Sequence, residues 1–235
     1  MNYIIIFARN EEKLIAKTTF TAISVTRSIL KLNGSNWKII LVDDGSDDHT
    51  LKIMQDVHKK EVEVAKVISQ PKLGISEGIL KALSEADCEK VLLLPGHNMY
   101  EHDSIFDVIN NSKNHDVVLG YRINLFLERP LAKALAGRIL QIVLRIIFNK
   151  NLKDAHGLNI FPKSFLKNNL KSDLKHENLI IPVIKSFESN LRIIQVPVKL
   201  LNGHKKMTLN QKKRRTPRLS DISDSLISIW RLIKM

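Results

Sequence analysis

The chain has 235 residues, 44% of them apolar, which suffices for the full core of one α/β domain. Its single cysteine, Cys88, excludes an internal disulfide and fits a reducing compartment; Met1 leads almost directly into a strand, so no signal peptide is expected, and no apolar run of about 18 residues offers a simple membrane span. A formal charge of +13 calls for an anionic partner, whether nucleotide phosphates, nucleic acid or an anionic bilayer, and the 6% aromatic content without a nucleic-acid motif argues against the second.

Tyr3 to Ala8 reads as a first strand, followed by Arg9-Asn10-Glu11-Glu12 and an amphipathic helix through about Leu32. A second strand, Lys38 to Val42, ends abruptly in Asp43-Asp44-Gly45-Ser46. In a parallel sheet ligands bind outside the carboxyl ends of strands, so these acids could accept hydrogen bonds from a base or a ribose. They read equally as a tight turn, with Asp47 or Asp48 capping a helix through about residue 58. Val62 to Ile68 is predicted as a third strand, followed by the turn Gln70 to Gly78 and a helix to about Ala86. Gly74 there either permits close backbone approach or simply turns the chain, with Ser76 as N-cap. Lys90 to Leu94 is apolar throughout its interior, which marks a central strand. Val117 to Arg122 reads as a fifth strand, and Pro130 to Asn149 as a helix whose few polar residues, Lys133, Arg138, Gln141 and Arg145, share one side. His176-Glu177 opens a further helix, and Leu191 to Val198 is a last strand.

The two strand-to-acid junctions, Phe7-Ala8-Arg9-Asn10-Glu11-Glu12 and Val42-Asp43-Asp44-Gly45-Ser46-Asp47-Asp48-His49-Thr50, resemble those of family 2 glycosyltransferases of the GT-A fold. The resemblance covers about residues 3 to 210 and implies an α/β/α sandwich with a mostly parallel central sheet. It implies a nucleotide site formed by Ala8, Asn10, Glu11, Asp43, Asp44, Gly45, Lys72 and Gly74. Val117 to Arg122 looks like the Gly-Ser-Arg element of the polyprenyl-phosphate sugar transferases, typified by dolichol-phosphate mannose synthase, and Pro130 to Arg138 like their later basic element. By that likeness Arg122, Lys133, Arg138 and Lys205 would hold an acceptor phosphate, although Lys133 could equally be a solvated lysine. Asp154 matches an acid near the reacting sugar, and Gly203 to Met207 resembles a loop that closes over the diphosphate, which makes Lys206 its first phosphate contact. Asp154, Arg122 and Lys206 are thus the expected catalytic residues.

Where the family places Asp-x-Asp to hold Mg²⁺ or Mn²⁺, this chain has Pro95-Gly96-His97. Three outcomes follow: cations hold the diphosphate, a metal binds through His97, or the chemistry is lost and the chain is a nucleotide- or lipid-binding scaffold. The C-terminal part is cationic through Lys212 to Arg218, and Ile222, Leu226, Ile229, Trp230 and Ile233 then form a helical stripe that docks either on the core or on an anionic membrane. The expected organisation is one transferase domain over residues 1–210 and a basic segment with an amphipathic helix over 211–235. The expected activity is inverting transfer of a sugar from a nucleotide-sugar to a lipid-linked, polyprenyl phosphate-like acceptor or another membrane acceptor, peripherally on the cytoplasmic membrane face.

Overall fold

Alternating β-branched runs and amphipathic helices fold as the pattern dictates, into a sheet covered on both faces. The computed structural model describes residues 1–170 and 179–202, and in the helix that follows Pro130 the side chains of Ala132, Lys133 and Ala136 lie outside the description. In chain order the elements are β1 (Asn2–Ala8), α1 (Ile15–Asn33), β2 (Trp37–Asp44), α2 (Thr50–Lys60), β3 (Val64–Gln70), α3 (Ile75–Glu85), β4 (Lys90–Pro95), α4 (His102–Asn111), β5 (Val117–Arg122), α5 (Leu125–Glu128), α6 (Leu131–Phe148), β6 (Asn159–Pro162), α7 (Lys163–Asn169), α8 (Ile180–Ser186) and β7 (Ile193–Val198).

The seven strands order as β3-β2-β1-β4-β6-β5-β7. Every pairing is parallel except those of β6, which runs antiparallel between β4 and β5. Apolar side chains leave the strands on both faces. Ile4, Ile6, Ile39, Leu41, Leu92 and Leu94 pack with α1, α2 and α4, while Ile5, Ile40, Val42, Val91 and Leu93 pack with α3, α6, α7 and α8. Each such fully buried side chain stabilises the fold by roughly 1.5–3 kcal/mol. β4 lies in the middle of the order, as its apolar run predicts.

Two predicted details differ. The N-cap of α2 is His49 rather than Asp47 or Asp48, although the Asp48 carboxylate accepts the Thr50 N–H at 2.9 Å, and Ser76 is a buried residue inside α3. The N-cap of α3 is Gly74, at a φ of 103° that only glycine adopts without strain. The predicted helix opening at His176 and the C-terminal helix over 219–235 lie outside the described residues.

Register and direction bring the site together. Ala8 pairs with Asp43 and Phe7 with Pro95, so β1, β2 and β4 end at one level. Because β6 is antiparallel, its first residue, Asn159, meets Leu93 of β4 and Leu119 of β5 near that same edge. The loop before β6 therefore enters where the parallel strands exit. It does so through a close passage: Gly120 donates its N–H to the Leu158 carbonyl at 2.7 Å, and a Cβ on Gly157 would stand 1.5 Å from the Gly120 carbonyl oxygen. No other residue type fits at position 157.

Candidate active site

At the ends of β1 and β2 the two acidic junctions are stitched together. The Asn10 N–H donates to Ser46 Oγ at 3.0 Å, and Asn10 Oδ1 accepts the Asp47 N–H at 2.8 Å. The Glu11 N–H donates to Thr50 Oγ1 at 2.8 Å. Asp43 is buried and turned onto its own loop, accepting from the Ser46 N–H and hydroxyl, whereas Asp44 faces the turn after β3. Asp44 Oδ1 takes the Gln70 amide at 2.8 Å and the N–H groups of Leu73 and Gly74 at 3.1 and 2.9 Å. A cavity of about 210 Å³ opens here, lined by Ala8, Arg9, Glu11, Asp44 and Gly74 among others. Of the residues predicted for the nucleotide, Ala8, Glu11, Asp44 and Gly74 line it; Asn10, Asp43 and Gly45 belong to the adjoining junction loops and Lys72 to the exposed turn after β3, and these four are not in its lining.

A larger cavity of about 400 Å³ adjoins the first, sharing Phe7 and His97 with it. Arg122, at the end of β5, lines it and is bound by Asp154 from the loop before β6. Arg122 Nε and Nη2 donate to the two carboxylate oxygens at 2.6 and 2.9 Å, and the Arg122 and His156 N–H groups add bonds at 3.2 and 2.9 Å. Both side chains are at most 4% exposed. Burial pushes the Asp154 carboxyl up, but the Arg122 hydrogen bonds and charge outweigh it and hold the group down at about 2. A carboxylate so stabilised stays ionised near neutrality and is a poor proton acceptor. Its chemistry is to orient Arg122 and to set the local field. The Tyr100 hydroxyl, also in this wall, is pushed up to about 12, chiefly by burial, and so stays a donor.

One residue of this wall was not singled out by sequence reasoning. Arg129 follows α5 in extended backbone, as expected before Pro130, and its side chain lines the larger cavity. Its guanidinium makes no hydrogen bond or ion pair among the described residues. Burial first, and then the neighbouring Arg122, lower its pKa from the ordinary value. The only available sequence signal was its position, seven residues after Arg122 and just ahead of the helix given to the acceptor.

Buried polar atoms without partners gather at the same edge. Among the described residues these are Arg9 Nε, Asn98 Nδ2 and Asn159 Oδ1. Arg9 lines the smaller cavity, Asn159 the larger, and Asn98 follows His97, which borders both. Each such atom left unpaired costs about 1–3 kcal/mol, and all three stand beside the cavities, where water or a ligand can complete the bonding.

The remaining predicted residues are not gathered here. Arg138 is exposed on α6 and donates to Gln141 at 3.2 Å, outside both cavities. Lys133 is on α6 with its side chain outside the description, and Lys205 and Lys206 lie outside the described residues. The donors among the described residues do not by themselves make a metal site. β4 delivers Pro95, Gly96 and His97 to the position expected for carboxylates, and no group of three or more His, Cys, Asp or Glu among the described residues could hold an ion.

Comparison with known proteins bears on the fold and the family. The chain is 27% identical over 225 residues, 85% of each chain, to the UDP-N-acetylglucosamine–dolichyl-phosphate N-acetylglucosaminyltransferase of Methanococcus voltae. It is 36% identical over 83 residues, 34% of this chain and 23% of the other, to a cholesterol galactosyltransferase of Borreliella burgdorferi. Its fold is similar to glucosyl-3-phosphoglycerate synthase from Mycobacterium tuberculosis, solved with Mn²⁺, UDP-glucose and phosphoglyceric acid, at a TM-score of 0.68 and 16% identity over 100% of this chain and 79% of that one. The model of glycosyl transferase family 2 matches residues 3–167, more than half of the 235, and the chain therefore belongs to that family and is a glycosyltransferase of GT-A fold.

Proposed function

We propose that this enzyme transfers a sugar from a nucleoside diphosphate to the phosphate of a membrane lipid, with inversion at the anomeric carbon. The observation that carries the reading is that the two cavities adjoin, with Phe7 and His97 in the walls of both. A nucleotide seated against Asp44 and Glu11 has its sugar end directed to the cavity walled by Arg122 and Arg129. The Methanococcus relative, named for a UDP-sugar and dolichyl phosphate and aligned along 85% of the chain, supports this donor and acceptor class. An acceptor phosphate is already ionised near neutrality, so its oxygen can attack the anomeric carbon without a strong base while the bond to the diphosphate breaks. That suits an Asp154 held ionised by Arg122.

The acceptor reading is also supported by α6. Leu131, Leu135, Ile139, Ile142 and Ile146 lie on one helical face and are 46–74% exposed, although the opposite face packs Leu144 and Gln141 into the protein. A stripe of this kind marks an interaction surface. No helix among the described residues is long and apolar enough to cross a membrane. With exposed Arg138 and Arg145 on the same helix, the occupant we assign is an anionic bilayer. Gly137 of α6 lines the larger cavity, so a lipid tail on the stripe would leave its phosphate at the cavity.

Transfer from a panel of UDP- and GDP-sugars to a short polyprenyl phosphate in phosphatidylglycerol vesicles tests the reaction; donor turnover with no lipid-phosphate product overturns the acceptor. Sedimentation tests the surface. Ile139→Glu with Ile146→Glu should lose most vesicle binding, and undiminished binding rejects the α6 face.

A further inference from the structure

We infer that Arg129 is the residue that binds a phosphate group in the larger cavity, and that it does so without a metal ion. The inference rests on the reading of this cavity as a sugar-transfer site. Its ground is a mismatch of charge. Among the described residues, the lining side chains of fixed charge are two guanidiniums, and none is a carboxylate. Arg122 is already neutralised by Asp154 through a two-pronged bond, with both side chains buried. Arg129 has no such partner among the described residues, yet it stands close enough to Arg122, Tyr100 and Asp154 to feel their charges.

A partly buried cation without an anion is unfavourable by itself, and is retained where a ligand supplies the missing charge. Its five-donor fork matches a phosphate. The position matters as well. β4 places Pro95, Gly96 and His97 where carboxylates would hold a metal, and Pro95 and His97 line this same cavity. The charge that a metal would neutralise therefore meets a guanidinium instead. Two phosphates are available, the donor's diphosphate and the acceptor's, and both offer the same chemistry.

The test reads binding by the full chain rather than turnover. UDP, uridine, farnesyl phosphate and farnesol are titrated by calorimetry into wild type, Arg129→Gln and Arg129→Lys, in EDTA and again in MnCl₂. Wild type should bind the phosphate ligand in EDTA. Arg129→Gln should lose roughly tenfold or more of that affinity, with its unphosphorylated counterpart unaffected and Arg129→Lys intermediate. A loss confined to UDP assigns the donor's diphosphate, and a loss confined to farnesyl phosphate assigns the acceptor's; either supports the inference. Unchanged phosphate affinity in Arg129→Gln overturns it, and so does binding that vanishes in EDTA and returns with Mn²⁺.

Melting of the ligand-free protein gives a second readout. Removing a cation that has no anionic partner among the described residues should leave the midpoint of Arg129→Gln equal to or above wild type, whereas a fall of several degrees assigns Arg129 a structural role and rejects the inference. A wild-type chain that binds none of the four compounds in either condition overturns the sugar-transfer reading together with this one. Undiminished binding in the variant overturns Arg129 alone.

Discussion

Strand β5 carries the same ion pair at both ends. At its start Arg192 clasps Asp116, with Nε, Nη2 and the Arg192 N–H donating at 3.1, 3.0 and 2.9 Å. At its end Arg122 clasps Asp154 through the same three groups, at 2.6, 2.9 and 3.2 Å. Both aspartates are held down at about 2, but by different balances. For Asp116 the Arg192 hydrogen bonds lead and burial opposes weakly, with side chains 67% and 29% exposed in the arginine and the aspartate. For Asp154 burial is the largest influence and raises the pKa, so the Arg122 bonds must overcome it to reach the same value. Geometry alone does not separate a surface clamp between β5 and β7 from a cavity wall. Solvent does, because water screens the first pair and is excluded from the second.

The largest effect expected from that difference is on stability. Asp154→Ala or Arg122→Ala strips the partner from a buried charge and should cost about 3–5 kcal/mol in denaturant unfolding. The double change Arg122→Met with Asp154→Leu should regain much of the stability but no sugar transfer. Single variants that cost less than ~1 kcal/mol would make the two pairs equivalent and end the comparison.

Acid sharpens it next. Asp154 has a folded pKa of about 2, below the unfolded value of about 3.9, so it contributes stability that is present above pH ~4 and lost as pH falls towards 2. The contribution is on the order of 2 kcal/mol. In about 1 M salt Asp154→Asn should flatten the stability profile between pH 4 and 2, while Asp116→Asn follows wild type because its exposed pair is screened. Matching profiles for the two variants would contradict this.

Asp44 is a third carboxylate, satisfied by an amide and two backbone N–H groups rather than by an arginine. Asp44→Ala should weaken UDP binding roughly tenfold by calorimetry, since it removes both the acid and the anchor of the Leu73–Gly74 turn. Full affinity in the variant would confine Asp44 to shaping the turn. The smallest effect belongs to the surface clamp: Asp116→Ala should shift the melting midpoint by about 2 °C or less and leave turnover unchanged.

Five of the seven strands were legible as β-branched or leucine-rich runs between Tyr3 and Arg122, and the last as Leu191 to Val198. So were the acids ending β2, because a run that stops at Asp43-Asp44-Gly45 announces a strand end at short range. β6 was not legible as a strand. It has four residues, too few to show a period, and its place depends on the open edges of β4 and β5. Helix α4 was likewise not assigned; its apolar residues, Ile105, Val108 and Ile109, gain their meaning from packing beside α1.

The sequence by itself determined the fold class, the level of the β1 and β2 acid junctions and the loss of carboxylates after β4, since periodicity, turn residues and residue identity act within a few positions. Tertiary structure alone decided which charges meet. Of the four arginines from Arg122 to Arg145, Arg122 and Arg129 line the cavity, while Arg138 and Arg145 remain exposed. The sorting follows from which face of α6 packs on the sheet and from the antiparallel entry of β6, which carries Asp154 through the Gly120–Gly157 passage to Arg122 and leaves Arg129 without an acid among the described residues. Such pairings join segments about thirty residues apart, and no local pattern encodes which cation the single incoming carboxylate will reach.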